Sequence, residues 1–434
     1  MSDYMNKLKV ILLLLILSVG NIHSQNLLSL KDAVNIALQK NTTVKIAENN
    51  LRIAENNYQL GNADFLPKFD LNLSTIYNDN YNYVYGMKKY SAYTTNIASI
   101  KASYILFNGM RNFATYSKYK YYKSLSQFAT KATREKIALE VIRSYNEVAK
   151  LQENLFVAKE SMEISRDRMN RQKSKMKFGH NSSIDYLSSV VDFNKDSLNF
   201  IYVSTLLKQQ KQKLNKLLNR NINEDFIVDT NVVYKELPTE EKLIELALKN
   251  NSNYNTAKEQ VKISEEEKSI ANSVFYPNLV LESAYGYNKI PDEFSLDFEN
   301  PNKTFYAGVS LQFNIFNGFK NKIQSQNAEI LLENSKISLR EAELNIRTEL
   351  SNAYLSYVNS KTALQLEYTN LKSAKLNFER TKELYDLGKV TLTQFREAQL
   401  KFMSAKQRIS ELKYSLKNAE ANLLLLSGLL LPMK

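Results

Sequence analysis

The 434-residue chain contains no cysteine and no tryptophan, and only two histidines, ten glycines and six prolines. Without cysteine, disulfides and thiolate metal sites are excluded. His23 and His180 leave almost no material for a histidine-based centre. The sequence therefore points to no metal and no cofactor. So few glycines and prolines leave room for long uninterrupted helices. The G-x-S-x-G, P-loop, H-E-x-x-H and G-x-G-x-x-G signatures are also missing, and no enzyme is expected. No apolar run after the N-terminal region reaches the ~20 residues that a transmembrane helix needs. The best candidate, Leu423–Leu431, is short and interrupted by Ser427 and Gly428.

What is present begins with an export signal. Lys7 and Lys9 precede the apolar run Val10–Leu17, and small residues follow to Ser24. Residues 1–24 read as a signal peptide cut before Gln25. The formal charge is +13, and residues 109–177 hold 16 Lys and Arg against 7 Asp and Glu. A basic helix can bind nucleic acid, but an exported chain does not meet it, so no nucleic-acid partner is expected.

The remainder is written twice. FNGMRN at 107–112 returns as FNGFKN at 316–321, and Ala37, Leu38 and Asn41 recur as Ala247, Leu248 and Asn251. Phe65 and Pro67 recur as Phe275 and Pro277, and Gly179 as Gly388. A period near 209 is too long for a solenoid and marks a duplicated unit. The halves are 25–220 and 239–434, joined by a linker at 221–238.

Each half has one internal order. A helix of about 35 residues opens it, Leu30–Asp64, with Leu30, Ala37, Val44, Leu51, Tyr58 and Phe65 stepping by seven before Pro67. Thr239–Ser273 matches it in the second half. Two strands follow, about 68–78 and 96–107, then about 278–288 and 303–316. Phe69, Leu71 and Leu73 alternate with Asp70, Asn72 and Ser74, the period-two signature of a strand. Ile97, Ser99, Lys101, Ser103, Ile105 and Phe107 are expected to share one face of the return strand. The Tyr-, Asn- and Pro-bearing segments 77–95 and 288–303 read as exposed loops.

Asn108–Gly109 and Asn317–Gly318 then supply a joint from strand to helix, since Gly tolerates the bend and Asn caps free N–H groups. Long helical hairpins follow, 109–220 and 317–428, turning at Gly179 and Gly388. The first arm, Gly109–Lys177, measures ~100 Å at 1.5 Å per residue. Val141, Val148, Leu155, Met162, Met169 and Met176 step by seven, as do Leu350, Tyr357, Leu364, Leu371, Phe378 and Tyr385. Sustained sevens mean helices packed side by side. The methionine stripe reads as core, because Leu and Phe stand at the matching sites of the other half.

With no membrane helix, a membrane-crossing form must be a closed barrel. Four strands cannot close alone, since such barrels need about eight. The chain must therefore share its strands with sister copies; a dimer gives eight and a trimer twelve. A soluble four-stranded sheet with one wet face has the same alternation. A structural or adhesive coiled-coil protein of the envelope would account for the heptads and the export signal, but not for the duplicated strands.

The duplicated order, the FNG joints and the turns GHNSSIDYLSSVVDF and GKVTLTQFREAQLKF resemble the TolC-like outer-membrane efflux channels over nearly the whole mature chain. The resemblance implies a mostly α fold with a small β part: a homotrimer whose twelve shared strands form a β-barrel in outer-membrane lipid, continued by an α-helical barrel through the periplasm. It implies an exit duct for efflux or type I secretion, docked on a periplasmic adaptor (a membrane fusion protein) and an inner-membrane transporter. Acidic residues beyond the Gly turn would ring the pore constriction at the periplasmic tip. By position these are Asp185, Gln394 and Glu397, and Gln394 departs from the acid found in some members. Gly109, Gly179, Gly318 and Gly388 are the structural turns. The basic run Arg166, Arg168, Arg171, Lys173, Lys175 and Lys177 reads as a solvated helix face or as a docking surface for an acidic adaptor.

Overall fold

The structure is a computed structural model that describes residues 27–177, 183–289 and 302–431. The proposed signal peptide, Gly179 and most of the 288–303 loop lie outside the described residues. The elements run β1 (Leu27–Leu28), α1 (Leu30–Lys40), α2 (Thr42–Asn57), β2 (Lys68–Val84), β3 (Met87–Asn108), α3 (Arg111–Lys177), α4 (Ser183–Leu217), β4 (Ile227–Val228), α5 (Glu240–Asn250), α6 (Ser252–Asn272), β5 (Asn278–Lys289), β6 (Asn302–Gln312), α7 (Lys320–Asp386) and α8 (Leu392–Leu426). Among the described residues no helix is long and apolar enough to cross a membrane. The described residues divide into two compact units: those within Met1–Ala47, Lys131–Asn251 and Asn345–Lys434 form a helical unit, and those within Glu48–Thr130 and Ser252–Leu344 form a unit around a sheet.

In the helical unit, the expected 35-residue opening helix is broken. Asn41 leaves the helical region at φ −62° and ψ 131°. The break is bridged locally. Asn41 donates its backbone N–H to Ala37 O (2.8 Å) and its side-chain amide to Leu217 O (2.9 Å), while its Oδ1 accepts from the Thr43 N–H (2.9 Å). Asn251 repeats the device, donating to Leu426 O at 2.9 Å. An asparagine thus supplies the polar groups that a kink leaves unpaired. The carbonyls it meets belong to the last turns of the returning helices, where intrahelical partners run out.

The seven-step stripes form the core of this unit. Val44, Val141, Val148, Leu214, Leu218 and Phe226 are fully buried together. Complete burial of such a side chain contributes roughly 1.5–3 kcal/mol. Phe226 and Val228 come from the expected linker, which is therefore not a loose tether. Val228 pairs in parallel with Leu28, and the Gln152 side chain accepts from the Val228 N–H at 3.3 Å. The Tyr145 hydroxyl donates to Leu28 O at 2.9 Å and accepts from the Asp229 N–H at 3.0 Å.

The sheet unit holds one four-stranded antiparallel sheet in the order β2-β3-β5-β6. Its first hairpin is longer than expected. Segment 77–95 is mostly strand, because β2 and β3 stay paired up to Val84↔Met87. Tyr85 and Gly86 make the two-residue turn, with φ 51° and 79°, as the right-handed twist of a hairpin demands. Alternating Tyr and Asn, which in the sequence resembles a loop, here satisfies the pleat.

Register sorts the two faces. Leu71, Ile100, Tyr285 and Phe305 form one row across all four strands. Asn72, Ser99, Gly286 and Thr304 form a row on the opposite face, where Lys101 also pairs with Glu282 at 3.1 Å. The apolar row is exposed, with Leu71 at 67% and Phe305 at 69%. Ile97, Ser99, Lys101, Ser103 and Ile105 share one face of β3 as expected, the polar one, and only Phe107 needs correction, because a bulge between Ile105 and Phe107 inverts the alternation and puts it on the apolar side. Strand β6 ends at Gln312 rather than near 316, since β5 begins at its partner Asn278. Among the described residues, strands β2 and β6 each have one edge without a partner in the sheet.

Both joints have one geometry. Gly109 and Gly318 have φ +67°, and the following Met110 and Phe319 have φ 66° and 64°. Asn108 Oδ1 accepts from the Asn112 N–H at 3.3 Å, and Asn317 Oδ1 from the Asn321 N–H at 3.4 Å. The side chain of Asn112 donates to Asp64 O at 3.0 Å, tying the start of α3 to the end of the preceding helical segment.

Candidate functional site

Of the residues expected at the tip, Gln394 and Glu397 follow the turn between α7 and α8, and Asp185 lies at the start of α4. Gly388 closes α7 with φ +72°. The Lys389 N–H reaches back to Leu384 O (2.8 Å) and the Gly388 N–H to Tyr385 O (3.0 Å). This pair of bonds is the Schellman cap, which needs a left-handed residue and so favours glycine. Helix α8 then starts with a capping box. The Gln394 N–H donates to Thr391 Oγ1 (3.2 Å) and the Thr391 N–H to Gln394 Oε1 (2.9 Å). The Gln394 side chain is exposed and engaged in the helix start. Glu397, one turn on, is exposed and pairs with Lys401 at 2.7 Å. The hydrogen bond and charge of Lys401 hold its carboxyl below the usual range. Asp185 occupies the first turn of α4, half-buried, where a carboxylate favours the helix N-terminus. No hydrogen bond or ion pair among the described residues joins Asp185, Gln394 and Glu397 to one another.

Just above these residues the helices share a buried polar cluster that sequence reasoning missed. Arg396 of α8 grips Asp196 of α4 with two hydrogen bonds, 2.7 and 2.9 Å. The Asp196 carboxylate also accepts from Ser161 (3.2 Å) and Ser165 of α3. Burial opposes ionisation of Asp196, but the bonds from Arg396, Ser165 and Ser161 outweigh it, and its carboxyl lies below the usual range. Burial likewise works against the Arg396 charge, and Asp196 more than restores it. Gln399 donates to Ser161 O at 3.3 Å, and Gln172 of α3 donates to the Tyr385 hydroxyl.

Arg168 belongs to the basic run, yet its side chain is only 1% exposed. It donates to Asp192 at 2.6 Å, and its Nε and Nη1 groups have no partner among the described residues. Burial lowers its proton affinity, and the nearby Arg396 adds to that, against the pull of Asp192. Asp192 also lies 3.7 Å from Arg396 Nε, so two guanidiniums and two carboxylates balance. Arg171 pairs with Asp386. The basic run is thus a mixture: Arg166, Lys173, Lys175 and Lys177 are exposed, Arg171 is exposed but paired, and Arg168 is interior. A sequence signal was available, because Ser161, Ser165, Arg168 and Gln172 are spaced by four, three and four, a polar stripe on one helix face. These contacts tie α3, α4, α7 and α8 to one another.

The sequence profile of outer membrane efflux proteins matches residues 33–220 and 243–429. The outer membrane protein TolC of Vibrio cholerae serotype O1 is 24% identical over 294 residues, 67% of this chain and 66% of that protein. The CmeC outer membrane channel of Campylobacter jejuni superposes with a TM-score of 0.77 at 19% identity, over 92% of this chain and 85% of CmeC. The outer membrane protein VceC of Vibrio cholerae superposes with a TM-score of 0.79 at 15% identity, over 92% and 96% of the two chains. Two profile matches, one per half and together spanning most of the sequence, establish that the chain belongs to the outer membrane efflux protein family.

Proposed function

We propose that the protein is the passive exit duct of a tripartite efflux or type I secretion system. In this reading three copies close a twelve-stranded barrel in the outer membrane, and their helical units line a tunnel in the periplasm. A periplasmic adaptor and an inner-membrane pump deliver cargo to it, and no bond is made or broken on the way.

The observation that carries this reading is the sheet: one exposed apolar face, one polar face, and two edges without partners among the described residues. An unpaired N–H or C=O in hydrocarbon costs several kcal/mol, so a spanning sheet must close on itself. Strands β2 and β3 have 17 and 22 residues. A tilted strand crosses a bilayer with ~9–11, so this hairpin has length to spare. Eight strands enclose a lumen that side chains fill; a conduit therefore favours three copies over two. At the tip, Asp185 and Glu397 supply carboxylates that would face a narrow neck and attract cations.

The test is direct. The mature chain extracted in detergent should be a trimer by light scattering, should resist dissociation in cold dodecyl sulfate, and should conduct ions in planar bilayers. A monomer soluble without detergent would overturn the proposal.

A further inference from the structure

The charges on the polar face of the sheet are gathered in one place. Where all four strands run together, the described residues of that face carry only Lys68, Asp70, Lys101 and Glu282 as charged groups. Two successive rows hold them. One crosses from Asp70 to Lys101, and the next from Lys68 through Ser103 to Glu282 and Gly308.

Within this band Lys101 is bracketed. Its ammonium lies 3.1 Å from the Glu282 carboxylate. On its other side Asp70 stands directly opposite on β2, and such paired residues have Cβ atoms ~4.5–5.5 Å apart. Lys68 is already engaged, 2.9 Å from Asp64. Beyond Glu282 the row opens, since nothing lies within 4 Å of the Gly308 Cβ position. Asp70 is exposed and Glu282 half-buried, so water reaches both carboxylates. A pair this wet contributes little to stability. Its effect lies in the field over the polar face. One ammonium between two carboxylates leaves a single negative charge. Without it, two unpaired carboxylates would share one patch, the oxygen-rich setting that a divalent cation favours.

We propose that Lys101 is a specificity-determining residue of the conduit: a tethered ammonium that fills the Asp70–Glu282 pair and keeps free divalent cations from lodging on the barrel wall. This rests on the reading above, in which the polar face lines a lumen. Three copies would then set three such patches at one level, at the end of the sheet where β2 begins. A cation held there would narrow the path and impose its charge on passing solutes. A lysine, unlike a free ion, neither accumulates nor leaves, so the charge of the wall stays constant as external salt varies.

The chain has no natural cysteine, so this charge can be removed and restored within one channel. Lys101→Cys is recorded in planar bilayers in ~0.1 M KCl, where charges act over ~10 Å. An Asp185→Ala, Glu397→Ala background takes the tip carboxylates out of the readout. Magnesium should block the current at a concentration about tenfold lower than in the background with Lys101 intact, because a unit charge a few ångströms from a divalent ion alters its affinity by about a decade even in water. Aminoethyl methanethiosulfonate returns an ammonium to the thiol and should relieve the block in the same channel, whereas the uncharged methyl reagent should not. Adding Asp70→Asn and Glu282→Gln should abolish the block. Three results would overturn the role of Lys101 and leave the duct reading standing: block at the background's magnesium concentration, equal relief by the methyl reagent, or block that persists without the two carboxylates. A background chain that conducts no ions would remove both readings.

Discussion

Replacing Arg396 by methionine tests the buried cluster with a magnitude that the structure sets. The substitution keeps much of the side-chain volume but strands the Asp196 carboxylate, whose side chain is 10% exposed. Breaking a buried ion pair from one side costs ~3–5 kcal/mol. The hydroxyls of Ser161 and Ser165 still donate to Asp196 and retain part of its solvation. A net loss of about 3 kcal/mol is therefore expected, the lower end of that range. Hydrogen exchange at the amides of α4 and the first turns of α8 reads this local opening directly. At about 1.4 kcal/mol per decade, exchange there should speed up on the order of 100-fold. Adding Asp196→Asn removes the stranded charge and keeps an acceptor for both serines, so exchange should return to within about tenfold of the parent. Exchange in Arg396→Met within threefold of the parent, or a double variant no slower than the single one, would refute the reasoning.

Two further outcomes follow from the same region. Substituting Glu397 and Asp185 together by alanine should lower cation preference in planar-bilayer recordings, and unchanged selectivity would remove these carboxylates from the conduction path. The carboxyl of Asp196 titrates below its ordinary value of 3.8, so its contribution to stability is complete above that pH and is lost as pH falls through the native value. Thermal midpoints measured from about pH 5 to 2 should fall less steeply in Asp196→Asn than in the parent, and parallel curves would count against the assignment.

The sequence disclosed what depends on local repetition. Seven-step apolar residues marked the long helices, alternation marked the strands, and the FNG phrases marked both joints. The features it hid depend on partners distant in the chain. Asn41 and Asn251 lie in runs whose heptads continue past them, and only the carbonyls of Leu217 and Leu426 make a kink there satisfiable. The bulge after Ile105 reverses which residues of β3 face which way, and one strand read alone does not show it. Arg168 reads as one more surface cation until α4 brings Asp192 to it. Among the tip residues, Gln394 is placed at a constriction by position alone, and its capping role is also written in T-L-T-Q, a box that needs only a threonine and a glutamine three residues on.

The free rims of β2 and β6 bear on how such a protein comes into being. A lone subunit offers two open hydrogen-bonding ladders and a greasy flank at once, which in water is a template for clumping. In the assembly proposed here, maturation and ring closure become a single event, and the folded state has no meaning for one molecule alone. Its yield should then follow mass action, rising steeply with the local supply of newly exported chains.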